Sequence, residues 1–431
     1  MDPADQLVAA VTSDDVPRAT DLLTRQPELH SRLDDSLPGL PFGGTLLLTA
    51  VGRGSRPMID LLLSHGARVT QRSRWWAGGF GVLDLADPGL VDFLIERGAY
   101  LDIHAASRLG RIDTVRKLLA DDPSLVHSRG GDGQTPLHVA ANTEIAAVLL
   151  DAGADMNARD VDHESTPAQY AIRERHDVTR FLVEHGCQTD LLMACAIGDL
   201  DLVQTLLAAS PEAIAITVSG DHFPMSNPHA GGTIYIWTLG DHKSAPAIAR
   251  EFGHEPVFQL LIDRSPHELA VAAACEVADA DLVRALIEKR AVDPSRMDGS
   301  LLRRTVDAAD RNDATALRLM LSAGWSASAR GKHGATALHF AAWHGNQDAV
   351  AALLAHGASL DIRDNDFEMT PIGWAFHGSI HCYDRERGDY PGTVAALLAA
   401  GAVAPAGDPS SVNASEAVRD LLRRRSGGAL S

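Results

Sequence analysis

Residues 133–148 read GQTPLHVAANTEIAAV, and this stretch decides the fold. Thr135 can cap a helix by accepting backbone N–H bonds, and Pro136 fits the first helical position, where no N–H is needed. Leu137 then turns into a core, and His138 bonds back to the backbone and fixes the loop. We therefore expect a short helix that begins just after Thr135 and a second helix behind it.

A near copy lies in the C-terminal half, where residues 334–346 read GATALHFAAWHGN. Thr336 and His339 fall at the positions of Thr135 and His138, and a pair of alanines follows in both copies. The chain resembles the ankyrin repeat family, whose units of about 33 residues contain a finger-like turn, an inner helix and an outer helix. The resemblance covers essentially the whole chain and implies an all-α solenoid of about twelve helix-pair repeats with short fingers.

The repeats divide into four predicted parts. Residues 1–214 hold repeats one to seven, and residues 215–266 form an elongated repeat rich in aromatic and histidine side chains. Residues 267–404 hold repeats nine to twelve, and residues 405–431 form a capping helix with a tail. In the elongated repeat we expect GGTIYIWTLGDHK (231–243) to form the inner helix, with extra residues between the two helices. Repeats five and six match repeats eleven and twelve in order, which suggests a duplicated six-repeat block.

Composition limits the partners of this chain. Its formal net charge is −19 and its pI is about 5.4, which argues against nucleic acid, because phosphates need a Lys/Arg surface. The 4 cysteines form no CxxC pair, as expected of a reduced cytoplasmic protein. The acidic N-terminus and the lack of any run of about 18 apolar residues predict no signal peptide and no membrane span. Arg dominates over Lys, and Ala and Leu abound, which suggests a GC-rich genome and a bacterial-type member of the family.

Two acidic fingers are the first candidates for chemistry. Asp160, Asp162, His163 and Glu164 lie in one finger, and the other contains three carboxylates, namely Asp364, Asp366 and Glu368. Such groups could bind a cation or an Arg-rich partner, or act as acid and base. The structural alternative is that consecutive carboxylates in a turn bond their own backbone, as Asx-turns do. The sequence leaves both interpretations open.

Aromatic and histidine side chains gather around two Gly-Gly pairs and in the last two repeats. Flat side chains on flexible turns are favoured at binding surfaces, although they could also fill a bend in the stack. His339 is predicted to be structural. His377 and His381 are four residues apart, but Gly378 and Ser379 argue against a continuous helix between them, so we predict no metal site and no cofactor. The candidate residues from these groups are Trp75, Trp76, His222, Asn227, His229, Trp237, Trp343, His344, Trp374 and His377.

The predicted function is a binding scaffold that recognises a protein through its concave face and fingers. The alternative is a small-molecule binding or converting enzyme, with a pocket in which Asp or Glu acts as the acid and His as its partner. No nucleophile elbow, P-loop or GxGxxG motif occurs, so catalytic residues stay unassigned and we lean against an enzyme. The predicted partner is a protein, with a small-molecule ligand as the alternative, and neither nucleic acid nor a membrane.

Overall fold

The structure is a computed structural model, and it describes residues 2–404 and 408–427 of the 431. The predicted all-α fold is confirmed, because these residues form helices and two isolated bridges with no strand among them. A helix occupies Glu416–Gly427, inside the part of the chain that was predicted to cap the stack. Residues 405–407 and 428–431 of the predicted cap and tail lie outside the described residues. No helix in the described part of the chain combines the length and apolar character that a bilayer span requires.

The chain divides into two compact bodies. The N-terminal body comprises Met1–Met193 and Val218–Gly240, and the C-terminal body comprises Ala194–Thr217 and Asp241–Ser431. Residues 218–240 of the predicted elongated repeat therefore belong with the N-terminal body. Each body has its own apolar core between stacked helices.

The helices follow one another in short pieces along the chain. The first half contains α1 (Pro3–Thr12), α2 (Val16–Arg25), α3 (Leu46–Gly52), α4 (Arg56–Ser64), α5 (Val82–Leu85), α6 (Val91–Glu96), α7 (Ile103–Arg108), α8 (Ile112–Asp121), α9 (Thr143–Asp151), α10 (Pro167–Ala171), α11 (His176–Glu184), α12 (Leu191–Ile197) and α13 (Leu200–Ala209). The second half contains α14 (Ala245–Glu251), α15 (Glu255–Arg264), α16 (His267–Glu276), α17 (Ala280–Lys289), α18 (Gly299–Leu302), α19 (Arg304–Asp310), α20 (Ala314–Ala323), α21 (Ala337–Trp343), α22 (Gln347–Ala355), α23 (Pro371–His381), α24 (Tyr390–Ala399) and α25 (Glu416–Gly427).

These helices form the predicted number of repeats. Packing contacts pair α1–α2, α3–α4, α5–α6, α7–α8, α10–α11, α14–α15, α16–α17, α19–α20, α21–α22 and α23–α24, and a 3-10 turn at Pro136–Val139 pairs with α9. The order along the chain adds α12 and α13 as a further pair. These are twelve pairs within the described residues. α25 packs on α24 and covers the end of the C-terminal body.

His138, in the stretch Thr135–His138 (TPLH), has its predicted structural role. His138 is fully buried, and its Nδ1 accepts the Thr135 N–H at 3.0 Å while its Nε2 lies 3.0 Å from the Ser165 carbonyl oxygen. His339 makes the same two contacts in α21, to the Thr336 N–H and the Met369 carbonyl. Each histidine therefore joins the start of its inner helix to the finger of the next repeat.

The predicted inner helix of the elongated repeat is wrong. Its residues form only a short π-helical turn at Ile236–Gly240, and the inner helix is α14. Ser244 caps α14 by accepting the Ala247 N–H at 3.4 Å, and Pro246 lies in the first turn of this helix. A capping hydroxyl followed by a first-turn proline is also the helix start that Thr135 and Pro136 form. The extra residues consequently precede both helices instead of separating them.

The predicted break after His377 is also wrong, because α23 runs without interruption through Gly378 to His381. The reason is close packing of α23 against α21. A Cβ atom added at Gly378 would lie 2.2 Å from the Trp343 carbonyl oxygen and 3.0 Å from Trp343 Cα. Glycine is therefore required here by the approach of another backbone, which outweighs its poor helix propensity.

Replacing Gly378 by alanine is expected to destabilise the C-terminal body by about 3 kcal/mol, because the added methyl group forces α23 away from α21. Gly52 in α3 is the matched control, since a Cβ atom added there would have no neighbouring atom within 4 Å. Gly52→Ala should leave stability unchanged or slightly raised. Urea unfolding of both variants tests this, and equal midpoints for the two would show that the close approach has no energetic weight.

Candidate functional site

The acidic finger of the N-terminal body is organised around one buried carboxylate. Asp160 is 3% exposed and accepts the N–H groups of His163 and Ser165, both at 2.8 Å, and the Tyr170 hydroxyl at 2.9 Å. Burial raises the pKa of Asp160 despite these three donors. The side chain therefore holds its own turn together, as in the structural alternative that the sequence left open.

The finger of the C-terminal body has the same construction. Asp364 is 3% exposed and accepts the N–H groups of Phe367 at 2.6 Å and Met369 at 3.0 Å. It also accepts the Asp366 N–H and the Trp374 indole N–H, both at 2.9 Å. Burial pushes the pKa of Asp364 upward, but these four donors outweigh it and the net pKa is lowered. Trp374, a candidate for binding, is thus 8% exposed and tied to the finger.

In the N-terminal body, a segment of the elongated repeat covers this finger. The Gly231 N–H donates to the Asp162 carbonyl at 2.8 Å, and His163 Nδ1 lies 2.8 Å from the Gly232 carbonyl. Glu164 accepts the Ser226 hydroxyl at 2.7 Å and also the N–H groups of Ser226 and Asn227. These bonds lower the pKa of Glu164. The predicted residues Asp162, His163, Glu164 and Asn227 are therefore brought together, but their polar atoms are used within the chain.

Asp132 is a further residue at this finger, and the sequence did not single it out. Burial and the neighbouring Asp162 carboxylate raise its pKa to about 6, while His163 and the Trp75 indole oppose this shift. Asp132 Oδ1 and Trp75 Nε1 are both buried and fall short of hydrogen-bond geometry with any group in the described residues. Asp132 lies at the tip of the preceding finger at φ 53°, which could have drawn attention to it as a residue with an unusual backbone.

The aromatic residues predicted around the two Gly-Gly pairs meet in part. The Trp75 and Trp76 rings are 6.2 Å apart, and His229 lies 6.2 Å from Trp76. Phe42 extends this row, with its ring 5.3 Å from Trp75. Trp76 and Phe42 are 42% and 46% exposed, so the row, which we call the aromatic finger row, faces solvent.

Two further candidates lie outside this row. Trp237 is 71% exposed, and His222 is also exposed and lines a separate polar cavity of about 360 Å³.

The C-terminal body contains an apolar groove of about 330 Å³ beside its acidic finger. The ring centroids of Trp343 lie 6.3 Å from Trp374 and 5.6 Å from His377, and Phe367 is 62% exposed at the finger tip. Burial and the neighbouring His381 lower the pKa of His377. We call this surface the Trp343 groove, and its lining residues are Asp310, Lys332, His333, Phe340, Trp343, Phe367, Met369, Trp374 and His377.

Sequence reasoning found Trp343, Trp374 and His377 in this groove but missed Phe367. Phe367 occupies the finger position that His163 holds in the other copy, so alignment of the two fingers could have found it. Asp366 is exposed and pairs with His333, another residue that the sequence did not single out.

His344 differs from its predicted place, because it is 2% exposed and does not line the groove. Its Nε2 lies 2.9 Å from the Asp310 carbonyl oxygen, and its Nδ1 lies 3.2 Å from Asp384 Oδ1. The Cys382 sulfur completes this cluster. Two other groups of similar composition occur in the described residues, Asp132 with Asp162 and His163, and Asp241 with His242 and Asp310.

Two family models match this chain, and both describe ankyrin repeats. The family model for ankyrin repeats in three copies matches residues 103–192, and the model for a single ankyrin repeat matches residues 333–365. The chain is an ankyrin repeat protein. Both matched regions contain the capping threonine and the buried histidine described above.

Three relatives share parts of this ankyrin chain. It is 40% identical to the serine/threonine-protein kinase VIK of Arabidopsis thaliana over 75 residues, and these residues make up 17% of this chain and 17% of the kinase. It is 29% identical over 122 residues, 27% of this chain and 14% of the relative, to the ankyrin repeat and SAM domain-containing protein 6 of Rattus norvegicus. It is 23% identical over 337 residues, 75% of this chain, to the E3 ubiquitin-protein ligase KEG of Arabidopsis thaliana, where the match covers 17% of the relative. The matches thus span less than a fifth of each relative, and the expected bacterial origin stays a prediction.

Proposed function

We propose that this ankyrin protein is a protein-binding scaffold and that the Trp343 groove is its main contact surface. Ankyrin repeats generally mediate protein–protein interaction, and repeat proteins use extended surfaces on one face of the stack for it. The occupant we propose is a protein segment that inserts one large apolar side chain between the rings of Trp343 and Phe367. Large apolar anchors in ring-lined pockets supply most of the binding energy at protein interfaces.

The observation that carries the proposal is the difference between the two acidic fingers. In the N-terminal body, backbone N–H groups of Ser226, Asn227 and Gly231 satisfy the finger's acceptors. In the C-terminal body, the equivalent Glu368 carboxylate is exposed and receives no hydrogen bond from the described residues. The finger beside the groove therefore has acceptors for the backbone of a partner segment, in the way that residues 226–231 use them in the other copy.

The enzymatic alternative is not favoured, because the carboxylates that it needs organise the fingers. Asp160 accepts two hydrogen bonds from its own turn and one from the Tyr170 hydroxyl, and Asp364 accepts three from its own turn and one from the Trp374 indole. Neither carboxylate is thus available to exchange protons with a substrate. The net charge of −19 is a further reason to propose a protein and not a nucleic acid as the partner.

The test is capture of partners from host lysate by the tagged chain, with cross-links mapped by mass spectrometry. Trp343→Ala is expected to weaken capture roughly thirtyfold, since loss of a central aromatic contact costs about 2 kcal/mol. Tyr100→Ala is the matched control, because Tyr100 is 69% exposed and lies in the other body. Cross-links should reach Lys332 at the groove.

Circular dichroism of each variant checks that the helices persist. A partner that is retained by Trp343→Ala and lost by Trp76→Ala would move the interface to the aromatic finger row. That result would overturn the assignment of the groove while leaving the scaffold function in place.

A further inference from the structure

The cluster of His344, Cys382 and Asp384 lies where three repeat elements meet. His344 follows the last residue of α21, Cys382 follows the last residue of α23, and Asp384 precedes the 3-10 turn at Arg385–Arg387. The His344 side chain is 1% exposed, Cys382 is fully buried, and the Asp384 side chain is 17% exposed. Two buried groups and one partly accessible carboxylate therefore face one another.

Hydrogen bonding fixes which atom of His344 faces the cluster. Its Nε2 lies 2.9 Å from the Asp310 carbonyl oxygen, which can only accept, so Nε2 carries the proton. The lone pair of Nδ1 in the neutral ring is then directed at Cys382 Sγ, 3.7 Å away, and at Asp384 Oδ1, 3.2 Å away. A ring nitrogen held by a backbone carbonyl in this way is the usual arrangement of a histidine that ligates a metal through its other nitrogen.

We propose that His344 Nδ1, Cys382 Sγ and Asp384 Oδ1 bind a zinc ion. Sulfur, imidazole and carboxylate are all zinc ligands, and a set that combines them suits this borderline-soft cation better than Mg²⁺ or Ca²⁺. With ligand distances of about 2.0–2.3 Å, the edges of a tetrahedral site measure roughly 3.3–3.6 Å. The two separations from Nδ1, 3.7 and 3.2 Å, come close to these edges.

The third separation has to change on binding. Cys382 Sγ and Asp384 Oδ1 are 2.8 Å apart, so this edge opens by roughly 0.7 Å to reach tetrahedral geometry. Asp384 is the partly exposed member of the cluster and so is the one able to move. Binding releases the thiol proton of Cys382 to solvent, because only the thiolate is a ligand. Three protein ligands leave the fourth position for water or for a side chain from a partner.

The competing arrangement contains only hydrogen bonds. In it the Cys382 thiol donates to Asp384, and a doubly protonated His344 donates to the same carboxylate. Either arrangement gives His344 Nδ1, Cys382 Sγ and Asp384 Oδ1 a bonding partner, but only the zinc site gives a thiolate–metal signal. The location at the end of α21 and α23 means that the ion would join the two helices whose backbones meet at Gly378.

The experiment is a titration of the 431-residue chain, stripped with a chelator, with Co²⁺ as a spectroscopic probe for zinc. We expect a thiolate-to-cobalt charge-transfer band that saturates at one equivalent and disappears when Zn²⁺ is added. Cys382→Ser should abolish the band, and His344→Gln should weaken Co²⁺ binding by more than about tenfold. Cys275→Ala is the matched control, since Cys275 is also fully buried but belongs to no such cluster in the described residues; it should keep the band.

Two results would overturn the proposal. One is a folded wild-type chain that gives no charge-transfer band with Co²⁺, and the other is a band that persists in Cys382→Ser. Circular dichroism of each variant separates loss of metal binding from loss of the fold, and Asp384→Asn supplies a second ligand variant at the partly exposed position. These readouts do not depend on a protein partner, so they are independent of the proposed scaffold function.

Discussion

Replacing Asp364 by alanine is expected to destabilise the C-terminal body by about 4 kcal/mol, because four donors lose a charged acceptor at once. Three of these donors are backbone N–H groups of the finger, and the fourth is the indole N–H of Trp374. Hydrogen exchange of peptides covering residues 363–376 measures the local effect, and urea unfolding measures the whole body. The same variant should also weaken partner capture, because the released finger carries Phe367.

Two comparisons make this expectation specific. Asp364→Asn keeps one oxygen acceptor and should lose about half as much stability. Asp160→Ala is the equivalent change in the N-terminal body, and it should cost less, because Asp160 has three donors and its pKa is raised by burial. Unchanged hydrogen exchange at residues 363–376 in Asp364→Ala would show that the carboxylate does not hold the finger.

Local signals explain why the fold could be predicted from the sequence. Thr135 and His138 are three residues apart, so the hydrogen bond between them can be predicted from the local sequence alone. The same holds for the helix start at Thr336. A helix cap, a proline in the first turn and a buried ring are chemical requirements of a few adjacent residues, and they recur with the repeat.

The candidate site depends on contacts that are distant in sequence, and prediction was weaker there. Gly231 bonds to Asp162 and Ser226 bonds to Glu164, both across more than sixty residues, because a displaced segment covers the finger. Cys382 and Asp384 were missed for the same reason, since their partner His344 belongs to the preceding repeat. The break expected at Gly378 was wrong because the requirement for glycine comes from the backbone of Trp343, which local helix propensity does not report.

Acidification from pH 7 to pH 5 is expected to cost the wild-type chain about 2 kcal/mol through His138 alone. Burial, together with the charges of Arg129 and Arg175, lowers the pKa of His138 to about 3, although the Ser165 carbonyl opposes this. The unfolded chain, in which a histidine has a pKa of about 6.5, therefore binds the proton first as the pH falls. Stability from this residue is present above about pH 6.5 and is lost progressively toward about pH 3.

The neighbouring repeat supplies the variant that isolates this effect. At the equivalent position Gln169 accepts the Thr166 N–H at 2.9 Å through its amide oxygen, so a glutamine can cap this turn without titrating. His138→Gln should therefore stay folded at pH 7 and lose about 2 kcal/mol less than wild type on moving to pH 5. His356→Gln, a change at an exposed side chain, is the control and should follow the wild-type curve. If urea unfolding gives parallel pH dependences for His138→Gln and wild type, the buried histidine is not the group that makes the repeat acid-sensitive. The carboxylates that bond their own turns would then have to account for the loss.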